Sequence, residues 1–234
     1  MTYKALFLGS IGVVAETSEL QREAFNIAFD RFGLDWNWDR DTYYGMLSRL
    51  GGQARIAAYA AERGQEVEAR AIYATKQSAF QSLLRAKGVA ARPGVKDLLK
   101  EATAQGLKRA FATSTSAVQV DAVLDGLKSD LPRRQFDFIG DRAMIAMPKP
   151  AADIYYKAMQ SLDVAPQEVL VVEDTPESAE AALSAGLRVV GFPGCAARER
   201  AFPDGVPVVE FLTPMLLRSS PVAQPTIERM VAAE

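Results

Sequence analysis

The stretch at residues 5–14 reads ALFLGSIGVV and decides how the rest of the chain is interpreted. Its first four residues form an uninterrupted apolar run that stops at Gly9, which is typical of a short strand buried on both faces. Strands of this kind belong to parallel sheets, in which helices make the connections between strands. The stretch is therefore predicted to be the first strand of an α/β fold.

The second half of the chain alternates between short apolar runs and segments with helical periodicity. This alternation indicates a doubly wound parallel sheet with a Rossmann-like arrangement of helices on both faces. Further strands are predicted at residues 108–113, 136–139, 169–172 and 187–191.

The first half of the chain has a different pattern, because residues 16–87 show helical periodicity and no strand signal. We therefore predict a helical cap inserted into the α/β domain. The predicted division is an α/β core at residues 1–15 and 88–215, a helical cap at residues 16–87 and a C-terminal tail at residues 216–234.

The composition limits the classes of function. Apolar residues make up 49% and charged residues 24% of the chain, and the formal net charge is −2, so no basic field indicates a nucleic-acid partner. The apolar run after Ala5 is too short to span a membrane and has no basic leader. A single cysteine, Cys195, fits a reducing compartment, and we expect a cytoplasmic protein. The absence of histidine excludes Ser-His and Cys-His nucleophile pairs.

Polar side chains are predicted to gather at the carboxyl edge of the sheet. The second strand ends in Thr113 and Ser114, Lys149 stands before a helix, and the fourth strand ends in Glu173 and Asp174. Ligands of open parallel sheets bind at this edge. Hydroxyl groups, a lysine and two acids are suited to a phosphate or to a phosphate with a metal ion.

Four short motifs follow one another along the chain: residues 9–13 (GSIGV), Thr113, Lys149-Pro150 and Glu173-Asp174, joined in the predicted cap by Gly51-Gly52 and Arg55. With them the sequence resembles the haloacid dehalogenase superfamily, in the branch of the β-phosphoglucomutases and CbbY-like sugar-phosphate phosphatases, where the first motif is Asp-x-Asp-Gly-Thr. The resemblance extends to about residue 217 and implies phosphatase or phosphoglucomutase chemistry.

The first motif lacks the two acids that the resemblance requires for catalysis. The family's first Asp attacks phosphorus and ligates Mg²⁺, and its second Asp transfers the proton; these positions hold Gly9 and Ile11 here. Ser10 is the nearest hydroxyl, but without histidine we interpret it as a residue that hydrogen-bonds its own loop. Because losing a nucleophile alone removes most of an enzyme's rate, we predict a catalytically impaired or inactive protein, a pseudo-phosphatase.

The remaining site residues keep the roles that the resemblance implies. Thr113, Ser114 and Lys149 are expected to bind phosphate, and Arg49 and Arg55 to reach a sugar-phosphate ligand from the cap. Glu173 and Asp174 are expected to form at most a weak Mg²⁺ site, because the third carboxylate is missing. Two alternatives stay open at this point: an active phosphatase or phosphoglucomutase with an unusual site, and an interaction or scaffold protein whose protein partner the sequence does not identify.

Overall fold

The computed structural model describes residues 3–47 and 51–218. Five parallel strands form one sheet in the order β3-β2-β1-β4-β5, so the predicted doubly wound α/β fold is confirmed. The strands are β1 (Ala5–Leu8), β2 (Lys108–Ala112), β3 (Phe138–Gly140), β4 (Val169–Glu173) and β5 (Arg188–Gly191). The helices are α1 (Ile11–Val14), α2 (Ser18–Arg31), α3 (Arg40–Gly45), α4 (Gly52–Glu62), α5 (Ala69–Lys87), α6 (Val95–Ala104), α7 (Ala117–Gly126), α8 (Asp153–Leu162) and α9 (Pro176–Ser184).

Strand β1 is buried on both faces, and its side chains alternate between two cores. Leu6 and Leu8 pack in the core that includes residues of α6 and α7, whereas Ala5 and Phe7 pack in the core that includes residues of α8 and α9. This alternation follows from the two-residue repeat of a strand. The uniformly apolar composition of β1 is therefore explained by helices covering both faces of the sheet.

The register of the sheet determines which loops meet at its carboxyl edge. Leu8 at the end of β1 lies opposite Phe111 of β2 and Val172 of β4. Because the strands are parallel, the segments that follow them leave the sheet at the same edge. The loop after β1 is therefore flanked by those that follow β2 and β4.

Helices α2 to α5 lie between β1 and β2 in the chain and have an aromatic core of their own. Trp38 is fully buried, with its ring centroid 4.8 Å from that of Phe25 and 4.7 Å from that of Phe29. Trp36 is also buried, and its indole N–H donates to Gln65 Oε1 at 2.7 Å. The division of the chain into core, cap and tail stays a prediction, and residues 219–234 of the predicted tail lie outside the described residues.

In the two described ranges, no helix is sufficiently long and apolar to cross a membrane.

Candidate functional site

A cavity of about 330 Å³ lies between the carboxyl edge of the sheet and the inserted helices. Ser10, Ile11 and Asp174 contribute to its wall from the sheet side, and Arg55 and Lys76 contribute from α4 and α5. Its volume lies at the lower end of the range of small-molecule sites, roughly 300–1,000 Å³. The cavity is therefore large enough for a ligand of the size of a phosphorylated sugar.

The space beside Gly9 is occupied by the side chain of Glu173. A Cβ atom placed on Gly9 would lie 1.7 Å from Glu173 Oε1 and 2.0 Å from its carboxyl carbon. Glu173 ends strand β4 and is fully buried. The carboxylate of Glu173 therefore fills the volume into which a side chain at position 9 would project. Although position 9 has no acid, the space beside it is filled and contains a carboxylate.

Three side chains contact the Glu173 carboxylate in this place. Lys149 Nζ donates to Glu173 Oε1 at 2.7 Å and to the carbonyl oxygen of Gly9 at 3.1 Å. The Ser10 hydroxyl lies 2.9 Å from Glu173 Oε2, and the Tyr155 hydroxyl donates to Oε1. Burial and the negative charge of Glu173 raise the pKa of Tyr155, which keeps this hydroxyl protonated as a donor. Lys149 is thus engaged with an internal acid.

Asp174 is the carboxylate that faces the cavity. The Ser10 hydroxyl has a single proton, which it donates either to Asp174 Oδ1 at 2.5 Å or to Glu173 Oε2 at 2.9 Å. Burial, and then the neighbouring charge of Glu173, raise the pKa of Asp174 to about 6. A Cβ atom on Gly12 would lie 1.8 Å from Asp174 Oδ2, so the loop after β1 is packed against both acids.

The hydroxyl residues after β2 are placed differently from one another. Thr113 is buried, and its Oγ1 donates to Thr115 Oγ1 at 3.0 Å and accepts from the backbone N–H of Thr115 at 3.1 Å. Ser114 is half-buried, and Thr115 lines the cavity. The predicted phosphate-binding role of Thr113, Ser114 and Lys149 stays a prediction.

The carboxylates at the sheet edge do not fit a Mg²⁺ ion. The described part of the chain contains no group of three or more His, Cys, Asp or Glu side chains that could hold a metal. Glu173 already accepts hydrogen bonds from Lys149 and Tyr155, and Mg²⁺ requires near-octahedral coordination by oxygen atoms. Glu173 is therefore occupied by protein donors and is not a free ligand for Mg²⁺.

Of the two arginines predicted to reach the ligand, the structure describes only Arg55. Arg49 lies outside the described residues. Arg55 is buried and lines the cavity, with its Nε donating to the carbonyl oxygen of Met46 at 3.2 Å. Its guanidinium carbon lies 5.6 Å from the centroid of the Tyr43 ring, and burial lowers the pKa of Arg55. Arg55 therefore contributes a cation to the cavity wall.

Lys76 is a site residue that our sequence analysis missed. It lines the cavity although its exposed fraction is only 2%, and its ammonium group donates to Gln21 Oε1. Its Nζ lies 4.8 Å from the centroid of the Phe25 ring and 5.1 Å from that of Phe80. Burial, and then the charge of Arg55, lower the pKa of Lys76 to about 7. A sequence signal was present, because Lys76 stands in the apolar helical stripe that is formed by Ile72, Ala79, Phe80 and Leu84.

The comparisons with known proteins assign the family. The model of the haloacid dehalogenase-like hydrolases matches residues 12–192, and the chain belongs to this family. It is 36% identical over 202 residues to protein CbbY of Cereibacter sphaeroides, covering 85% of this chain and 88% of that protein. It is 28% identical over 190 residues to the phosphorylated carbohydrates phosphatase of Thermotoga maritima, covering 80% and 84%. The relatives place it in the CbbY-type sugar-phosphate phosphatase branch.

Solved structures agree with this assignment. CbbY from Rhodobacter sphaeroides in complex with phosphate has a TM-score of 0.81 and 35% identity, covering 90% of this chain and 95% of that one. A variant of that protein in complex with xylulose-(1,5)bisphosphate matches equally well. A β-phosphoglucomutase from Clostridium difficile, at 20% identity and a TM-score of 0.71, shares the fold.

The crowding at Gly9 leads to a stability prediction. Gly9→Ala is expected to lower the free energy of unfolding by about 2 kcal/mol or more, because the new methyl group displaces the Glu173 carboxylate from its charged hydrogen bonds. Chemical denaturation measures the effect. Gly45→Ala is the matched control, since a Cβ there meets no atom within 4 Å. The cost should shrink in a Glu173→Ala background, and an equal cost in both backgrounds would refute the explanation.

Proposed function

We propose that this chain is a pseudo-phosphatase, which binds a sugar phosphate in its cavity without hydrolysing it at a useful rate. The single observation that carries the proposal is the Glu173 carboxylate in the space beside Gly9, paired there with Lys149. A side chain that is fully buried and held by Lys149 and Tyr155 is not available to attack a phosphoryl group. The site thus has negative charge at the sheet edge, but the carboxylate that stands beside Gly9 is not an accessible nucleophile.

Retained binding is supported by the cavity and by the family. The wall carries Arg55 and Lys76, both buried, and Lys76 has no carboxylate partner among the described residues, so an anionic ligand would offset the cost of burying its charge. The related CbbY structures hold phosphate and xylulose-(1,5)bisphosphate, which supports a phosphorylated sugar as the ligand class.

A second candidate function is slow hydrolysis through Ser10. The observation that favours it is the short contact between the Ser10 hydroxyl and Asp174, since a carboxylate can accept the proton of a hydroxyl nucleophile. The position of Ser10 argues against efficient chemistry, because its Oγ lies between two carboxylates that repel an incoming phosphoryl group. We therefore rank this function second.

The experiment that tests the proposal measures binding and turnover on the same preparation. We expect titration calorimetry to detect binding of xylulose 5-phosphate or another pentose phosphate, with unphosphorylated xylulose as the matched control. Phosphate release from the same sugars, followed with and without Mg²⁺, is expected to stay at background. Absence of binding by every phosphorylated sugar would contradict the proposed function.

A further inference from the structure

The two ends of the cavity carry opposite charge. At the sheet end, Glu16 and Asp174 line the wall, and Glu173 lies directly behind them. At the end formed by the inserted helices, Arg55 and Lys76 line the wall. Arg200, a further cation of the lining, is paired with Glu177. A ligand inside the cavity therefore meets acids at one end and cations at the other.

The cations near the sheet end are already engaged. Lys149 is bonded to Glu173 and to the carbonyl oxygen of Gly9. The Arg92 guanidinium donates to the carbonyl oxygens of Gly12, Phe192 and Pro193, at 2.6, 3.0 and 2.7 Å. Lys149 and Arg92, the cations beside Glu16, Glu173 and Asp174, are thus held by protein groups. Arg200 is paired with Glu177, and Arg198 is close enough to affect the pKa of Arg92.

Glu16 is the acid of the sheet end whose ionised form is stabilised by hydrogen bonds. Glu16 accepts from the backbone N–H groups of Ser18 and Cys195, at 2.9 and 2.7 Å, and the pKa of Glu16 is lowered by these hydrogen bonds in spite of its burial. Ionised carboxylates accept hydrogen bonds and donate none. This end of the cavity is therefore suited to hydroxyl groups of a ligand and repels a second phosphate.

The end of the cavity formed by the inserted helices is positively charged. Among the described residues, Lys76 has no carboxylate partner; its polar contact is with the amide oxygen of Gln21. The Phe25 and Phe80 rings shield the ammonium group from water, and Arg55 is close enough to affect it electrostatically. A phosphate placed here would supply the anion that the buried lysine lacks.

We propose that the cavity selects a sugar with a single phosphate group, held with the phosphate beside Lys76 and Arg55 and with its uncharged hydroxyls towards Glu16 and Asp174. The inference rests on the proposed function and specifies its ligand and orientation. It differs from the placement predicted from the sequence, in which Thr113, Ser114 and Lys149 bind phosphate. That placement requires Lys149 to abandon the fully buried Glu173, which is costly.

The test compares two ligands that differ by one phosphoryl group, xylulose 5-phosphate and xylulose 1,5-bisphosphate. Titration calorimetry in one buffer at constant pH measures both affinities. We expect the monophosphate to bind at least about threefold more tightly than the bisphosphate. Lys76→Met should weaken monophosphate binding about tenfold or more, since it removes a charge-assisted contact. Lys108→Met removes an exposed lysine at the start of β2 and is the charge-matched control.

Two further variants test the negative charge of the sheet end and the hydroxyl after β2 separately. Asp174→Asn removes one negative charge at the sheet end at constant size and should raise the affinity for the bisphosphate relative to the monophosphate. Thr113→Val removes the hydroxyl after β2 and should change monophosphate affinity less than about threefold, whereas Lys149→Met is unsuitable here because it is expected to destabilise the fold.

The outcomes separate a failure of the proposed function from a failure of the proposed ligand selection. If neither sugar binds, the proposed function fails and the inference fails with it. If the bisphosphate binds as tightly as the monophosphate or more tightly, or if Thr113→Val costs more affinity than Lys76→Met, the proposed function stands and the selection of a single phosphate is refuted. An unchanged affinity ratio in Asp174→Asn would also refute it, because the ratio is attributed to charge.

Discussion

Phosphate release from sugar phosphates should be at least about 10⁴-fold slower with this protein than with the phosphorylated carbohydrates phosphatase of Thermotoga maritima, assayed side by side. The reason is that neither Gly9 nor Ile11 can attack phosphorus or transfer a proton, and Glu173 is buried behind them. A colorimetric phosphate assay on a panel of sugar phosphates, with and without Mg²⁺, measures the difference. Turnover within about 100-fold of the relative would overturn the pseudo-phosphatase proposal.

Two sets of variants give this expectation its controls. Any residual release that Ser10→Ala abolishes would establish the serine route, whereas release unaffected by that change would point to a contaminating enzyme. Restoring both acids, as Gly9→Asp with Ile11→Asp, should produce Mg²⁺-dependent release above the parent chain. Ile11 lines the cavity, so an acid there can face solvent and ligand.

The rescue has a specific structural obstacle. An Asp side chain at position 9 would overlap the carboxylate of Glu173, so it can be accommodated only if Glu173 moves and releases Lys149. We therefore expect Gly9→Asp alone to lose stability without gaining activity. If the folded double variant neither binds Mg²⁺ nor releases phosphate, the loop after β1 has lost the geometry that catalysis requires.

The second large effect concerns the pair formed by Lys149 and Glu173. Lys149→Met is expected to lower the free energy of unfolding by about 3–5 kcal/mol, because it leaves the Glu173 charge buried without its cation. The exposed fractions of the two side chains are 7% and 0%, so water cannot replace the missing partner. Urea denaturation followed by circular dichroism measures the change.

A matched control and a double variant make the cause identifiable. Lys157 is an exposed lysine on α8, and Lys157→Met should change stability by less than about 0.5 kcal/mol. Lys149→Met combined with Glu173→Leu removes both charges and should recover part of the loss, since replacing both members of a buried pair is much less costly than removing one. A loss below about 1 kcal/mol in the single variant would show that Glu173 finds another partner or takes up a proton.

Much of the fold was predictable because its signals are local. Apolar runs located the strands to within one or two residues, and helical periodicity located most of the helices. The prediction of strand β3 was the least accurate, because it placed the strand at residues 136–139, whereas the strand spans Phe138–Gly140. The difference arises because Arg133–Gln135 form a turn of 3₁₀ helix, after which Phe136 packs against Phe111 with the ring centroids 5.8 Å apart.

The candidate site was predictable in its membership but less so in its contacts. The sequence identified Glu173, Asp174 and Lys149, because they stand at strand and loop positions typical of the family. It did not identify Lys76, because a lysine within a helical stripe is ordinarily exposed at its tip.

The sequence by itself determined that this chain forms a doubly wound α/β fold and that its first motif has no carboxylate at positions 9 and 11. Both conclusions depend only on which residues are present and on their order, and the sequence states both. Only the tertiary structure decided that Glu173 fills the space beside Gly9, that Lys149 pairs with it, and that Lys76 faces the cavity. These contacts join residues from different strands and helices, and the choice of partner depends on burial and distance, which arise when the chain folds.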